Sequence, residues 1–136
     1  MNVGLLLLTH NDIGAQLLLA AKSVYGSIPT RVEILSVDQY DNPADVTNLA
    51  KQYIKVLDEG KGVLVLTDVY GATPNNIANN FSKNINVSIV SGINLPMLLN
   101  VFNYPNCSLK EMTKKAIDGG IKSIVNVKNV RENNKN

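Results

Sequence analysis

The sequence lacks most of the residue sets that announce a chemistry. Its single cysteine, Cys107, can form no internal disulfide and has no partners for a metal cluster, so no role is assigned to it. Its single histidine, His10, stands among scattered carboxylates, a poor metal-ligand set; neither a metal nor any other cofactor is expected. Charge is modest: 13 Lys and Arg against 11 Asp and Glu, a net +2, with charged residues at 18%. There is no basic run and no basic–aromatic interleaving, so nucleic acid is not an expected partner. The apolar run Leu5–Leu8 is far too short to cross a membrane, and no basic region precedes it as in a signal peptide. The chain is therefore expected in the cytoplasm. A Gly-x-Gly-x-x-Gly after the first strand and a lysine-bearing Walker loop are both missing, which removes the common nucleotide sites. No low-complexity linker or internal repeat divides the 136 residues, 45% of them hydrophobic, and they suffice for one domain with one core.

What remains is a regular alternation of strand and helix. Val3-Gly4-Leu5-Leu6-Leu7-Leu8-Thr9-His10 is a short apolar run closed by polar residues, as in a strand buried on both faces. Asn11 or Asp12 can cap a helix from Ile13, whose Ile13, Leu17, Ala20, Ala21 and Val24 fall at helical spacing before Gly26 and Pro29. Residues 32–37 form a second strand ending at Asp38. Asn42-Pro43 opens a helix with the stripe Val46, Leu49, Ala50, Tyr53, Ile54 and Leu57, stopped by Gly60. Residues 62–67 make a third buried strand that delivers Asp68. Thr73-Pro74 reads as a cap and a proline before a helix through Ile77, Ala78 and Phe81. A short fourth strand over 87–90 leads into Ser91-Gly92-Ile93-Asn94, and Pro96 opens a helix through Leu99 and Phe102. Ser108 and Glu111 have capping-box spacing, starting a helix that ends at Gly119-Gly120. Residues 122–128 read as a last, more polar strand, at an edge or between subunits. Residues 1–128 are thus one domain, and 129–136 a polar tail expected to be disordered.

This alternation predicts an α/β fold: a doubly wound, mostly parallel sheet in the order 2-1-3-4, with helices on both faces. That order sets the first and third strands side by side, so His10 and Asp68 meet at the seam between their carboxyl ends. A carboxylate holding one ring nitrogen protonated leaves the other as a nucleophilic lone pair and stabilises the charge that grows on the ring. The helix start at Thr73-Pro74 offers unpaired N–H groups and a hydroxyl suited to a phosphoryl group. His10 and Asp68 are accordingly the candidate catalytic pair, and Thr9, Gly71, Ala72 and Thr73 the candidate phosphate ligands. No serine or cysteine adjoins His10 to make a hydrolase triad, whereas phosphoryl transfer to the imidazole needs only what is present. The plainer alternative is a surface histidine, a turn-capping aspartate and an ordinary helix start. A small-molecule binding module of flavodoxin type is a second alternative.

Thr9-His10 after an apolar strand, the stretch Leu66-Thr67-Asp68-Val69-Tyr70-Gly71-Ala72-Thr73-Pro74-Asn75-Asn76, and Val90-Ser91-Gly92-Ile93-Asn94-Leu95-Pro96-Met97-Leu98 resemble the mannose-type (mannose/fructose/sorbose) enzyme IIA family of the bacterial sugar phosphotransferase system. The resemblance spans roughly residues 1–128, with the three motifs in order. It implies a phosphotransferase component acting through a phosphohistidine. His10 would take a phosphoryl group from the histidine phosphocarrier protein and pass it to a separate IIB component. Asp68 would orient the ring, while Thr73 and nearby backbone groups hold the phosphate. It also implies a homodimer in which a C-terminal strand, suiting 122–128, is exchanged, and contact with the membrane only through a permease complex. Two departures stand out: Asn11 replaces the usual glycine after the histidine, and Gly71-Ala72-Thr73 replaces Gly-Gly-Ser. A regulatory phosphoprotein with the same chemistry and no transport partner is the alternative.

Overall fold

A computed structural model describes residues 1–128 of the chain. Four strands, β1 (Gly4–His10), β2 (Val32–Val37), β3 (Val63–Thr67) and β4 (Val87–Ser91), form one parallel sheet in the order β2-β1-β3-β4, as predicted. Five helices among the described residues cover it: α1 (Ile13–Tyr25), α2 (Pro43–Leu57), α3 (Thr73–Asn79), α4 (Leu95–Phe102) and α5 (Leu109–Lys122). Leu5, Leu7, Leu64, Leu66 and Val90 pack on one face against Ala21, Leu98, Val101, Phe102, Met112 and Ala116 of α1, α4 and α5. Leu6, Leu8, Val63 and Val65 pack on the other against Val46, Ala50, Ile54 and Leu57 of α2 and Ile77 and Ala78 of α3. β1 and β3 are sealed on both faces, which is why they read as unbroken apolar runs rather than alternating ones. Each such buried leucine or valine contributes roughly 1.5–3 kcal/mol relative to exposure.

Helix starts follow local chemistry. Asn42 Oδ1 accepts the Ala44 N–H at 2.9 Å ahead of Pro43, and Ser108 and Glu111 close a reciprocal capping box. Asn94 Oδ1 caps α4 through the Met97 N–H, and Gly26, at φ +101°, ends α1 in the left-handed conformation.

Three expectations are corrected. The buried face of α1 is only partly the one predicted: Ala21 is buried and Leu17 packs on the core as expected, but Ile13 is 44% and Val24 66% exposed, and Gly14 is buried instead. The cause is the close seat of α1 on β1, where a Cβ on Gly14 would lie 2.9 Å from Thr9 Oγ1. Gly119-Gly120 does not end α5, which runs on to Lys122. These glycines are packing residues: a Cβ at Gly119 would fall 2.5 Å from Asn100 Cβ, and one at Gly120 3.1 Å from Met97 Cε, where α5 crosses α4. The strand expected over 122–128 does not form. Lys122 closes α5, residues 124–126 have no regular structure, and 127–128 are helical. The whole segment is exposed, with no neighbouring strand among the described residues to supply a hydrogen-bond ladder. The tail expected over 129–136 lies outside the described residues.

Candidate functional site

The register pairs Leu8 of β1 with Thr67 of β3, so His10, which ends β1 beside Val37 of β2, and Asp68, which follows β3, reach the same carboxyl edge of the sheet. There His10 Nδ1 lies 2.7 Å from Asp68 Oδ2, and the same oxygen accepts the His10 backbone N–H at 3.1 Å. The Asp68 side chain is 6% exposed and that of His10 39%. The carboxylate is buried under the ring, and the ring reaches solvent. With Nδ1 turned to the acceptor, Nε2 lies on the far side of the imidazole and has no partner among the described residues. Asp68 Oδ1 is buried and also without one. The two halves of the predicted pair, far apart in sequence, are brought into direct contact.

The turn after His10 depends on Asn11, the one non-glycine residue with positive φ (+43°) among those described, with its N–H on Val37 O at 2.9 Å. This is the left-handed region that glycine enters freely and asparagine tolerates better than most residues. The departure at this position therefore keeps the turn.

The loop beyond Asp68 is open. Gly71 takes φ +82° with nothing within 4 Å of where its Cβ would be. The Ala72 N–H bonds back to Val69 O at 3.3 Å, and Gly71 O accepts from Asn76 Nδ2 at 3.3 Å. Thr73 is not the cap of α3, as its sequence position suggested. Ala72 holds that place and no side-chain cap bond is made, so the Thr73 hydroxyl is uncommitted among the described residues. Thr73 lines a cleft of about 610 Å³ together with His10, Asn11 and the loop after β2. Gly71 and Ala72 shape the loop without lining that cleft.

Thr9 is placed where it cannot serve as a phosphate ligand. It is fully buried on the other face of β1, and its Oγ1 accepts the Gly14 N–H at 2.8 Å. Adjacent side chains of a strand point to opposite faces, so the residue next to the histidine is the one that cannot share its surroundings. Gly92, Ile93 and Asn94 are likewise engaged in structure: the Gly92 and Ile93 N–H groups both bond to Thr67 O, and Asn94 caps α4, while the Ser91 hydroxyl is buried without a partner among the described residues. Cys107 is away from the cleft. Burial and the Glu111 carboxylate push its thiol above the usual range, and its Sγ lies 3.1 Å from Tyr104 O.

Sequence reasoning missed the third wall of the cleft, Asp38, Gln39 and Tyr40. Asp38 Oδ1 accepts the Tyr40 N–H at 2.8 Å and Asp41 Oδ2 the Asp38 N–H at 2.9 Å, a tight turn that displays Tyr40 at 87% exposure. The available signal was the position of Asp38 at the carboxyl end of β2, on the same sheet edge as His10.

No helix among the described residues is long and apolar enough to cross a membrane. A model of the family described as PTS system fructose IIA component, PTS being the phosphotransferase system, matches residues 4–117. The fold is shared with solved structures. The PTS IIA protein associated with the fucose utilization operon from Streptococcus pneumoniae is 28% identical, with a TM-score of 0.81 over 95% of this chain and 96% of that one. The mannose/sorbose specific IIA subunit from Enterococcus faecalis is 22% identical, with a TM-score of 0.81 over 93% and 95%. The EIIA component from Streptococcus agalactiae is 20% identical, with a TM-score of 0.80 over 95% and 99%. No curated protein sequence matches the chain.

Proposed function

The chain belongs to the PTS fructose IIA component family, and from that premise we propose that it carries phosphoryl groups on His10, from the histidine phosphocarrier protein to a separate IIB component. The observation that carries this reading is the Nδ1–Asp68 Oδ2 contact of 2.7 Å. A carboxylate accepts only from the Nδ1–H tautomer, which leaves the Nε2 lone pair free to attack. As the bond from Nε2 to phosphorus forms, the bond from phosphorus to the donor's nitrogen breaks and the donor ring leaves with the electron pair. His10 keeps its Nδ1 proton and becomes positive, and buried Asp68 offsets that charge. Transfer to the acceptor reverses the sequence. The Thr73 hydroxyl and N–H, on the wall of the same cleft, supply hydrogen bonds to phosphoryl oxygens. Among the described residues no lysine or arginine lines the cleft, so the group is held loosely enough to leave.

Incubation with phosphoenolpyruvate, enzyme I and the phosphocarrier protein is expected to place acid-labile phosphate on the chain, and His10→Ala to abolish it. Label retained by His10→Ala rules the assignment out.

The reading extends to a homodimer. Among the described residues the outer edge of β4 carries no partner strand, while Ile121, Ile124, Val125 and Val127 stand exposed. An exchanged C-terminal segment would pair the one and cover the other. Sedimentation is expected to give twice the chain mass, and Ile124→Asp to lower it; a wild-type monomer at micromolar concentration excludes the dimer.

A further inference from the structure

Thr9 adjoins the proposed acceptor and cannot touch what the acceptor touches. Its hydroxyl is spent across the β1–α1 turn, where Oγ1 accepts the Gly14 N–H at 2.8 Å. Asp12, at the N-cap position of α1, makes no side-chain cap bond, so the helix is capped from the strand by Thr9 instead. Between the two anchor points lie His10 and the left-handed Asn11. Three bonds then fix this stretch: Thr9 Oγ1 to the Gly14 N–H, Asn11 N–H to Val37 O, and His10 N–H to Asp68 Oδ2. Gly14 leaves little slack, since a Cβ there would press on both Thr9 Oγ1 at 2.9 Å and Leu7 Cβ at 3.3 Å.

We propose that Thr9 is a positioning residue for phosphoryl transfer at His10: by capping α1 from inside the sheet it sets the path of the turn that lays Nδ1 on Asp68 Oδ2 and presents Nε2 to the cleft. The proposal rests on the phosphohistidine reading of His10. Thr9 exchanges no proton and contacts no phosphoryl oxygen; it acts through the backbone of its neighbour. Misplacing a reacting atom by about 1 Å can cost on the order of 100-fold in rate, so a turn that relaxes without unfolding is enough to matter.

The test uses the full chain with Thr9→Val, which keeps the volume and branching and removes the acceptor, and Thr9→Ser, which keeps the hydroxyl. Transfer is measured from the phosphocarrier protein and separately from phosphoramidate, a small P–N donor that needs no protein surface. Because His10 is the only histidine, its ring nitrogens can be followed by 15N NMR without ambiguity. Well below its unfolding midpoint, Thr9→Val is expected to transfer about 10- to 100-fold more slowly from both donors. KM for the phosphocarrier protein should be unchanged, and the Nδ1–H tautomer should lose its excess. Thr9→Ser should restore rate and tautomer together. A folded Thr9→Val with wild-type rate and wild-type nitrogen shifts overturns the proposal. If Thr9→Val does not fold, Gly14→Ala, which presses on the same hydroxyl from the helix side, decides by the same two readouts. Wild-type protein that takes no label from either donor overturns the phosphohistidine reading and this proposal with it, a result distinct from labelled wild type with an unaffected variant.

Discussion

Two connections leave the carboxyl edge of the sheet beside each other and are built on opposite plans. The β1–α1 turn is closed: the N–H groups of His10, Asn11 and Gly14 are each tied to a partner, a fully buried threonine caps its helix, and Gly14 fits with no room for a methyl group. The β3–α3 loop is open. Gly71 has no close neighbour, Thr73 keeps an uncommitted hydroxyl, and Tyr70 projects into solvent. The first arrangement suits a group that must be aimed, the second a group that must be received and given up. On the proposed function, rigidity lies under the nucleophile and latitude around the cargo, which is how a carrier differs from a tight binder.

The contrast can be broken most sharply at the atom the two connections share. Asp68→Asn preserves volume and removes the charge that selects the Nδ1–H tautomer. Transfer is expected to fall by about 10²- to 10⁴-fold in single-turnover kinetics, with the fold intact by circular dichroism. An unchanged rate would remove Asp68 from the mechanism. Gly14→Ala attacks the closed turn. The added methyl group meets Thr9 and Leu7, so unfolding in urea should show a loss of about 1–3 kcal/mol. Thr73→Val probes the open loop, where no intramolecular bond is lost. Stability should stay within about 0.5 kcal/mol while transfer slows several-fold. If Gly14→Ala and Thr73→Val prove equally destabilising, the two connections are not built differently.

The architecture and the central pair were legible because both follow from short-range rules. Apolar runs without alternation mark strands buried on both faces, Asn42-Pro43 and Ser108–Glu111 mark helix starts, and strand order brings the polar residues at two strand ends together. What escaped depends on neighbours distant in sequence or on the detailed course of a turn or strand. A glycine pair reads as a helix stop, yet Gly119 and Gly120 are glycines because Asn100 and Met97 lie against them. Thr73 reads as a cap, but the turn shifts that role to Ala72. Thr9 reads as a ligand because it adjoins His10, and the strand's two-residue period sends it the other way. Residues 122–128 read as a strand, though a strand needs a partner that the described residues do not offer.

One oxygen, Asp68 Oδ2, takes both the main-chain and the ring N–H of His10. His10 is therefore held at two points, main chain and ring, by the residue that follows the neighbouring strand, and its imidazole is not a side chain on a mobile arm that swings from one visitor to another. For a carrier acting as proposed, donor and acceptor must then come in along the same line, each occupying the approach the other needs. Their visits are mutually exclusive and the kinetics ping-pong, and either partner, in excess, inhibits by standing in the other's way.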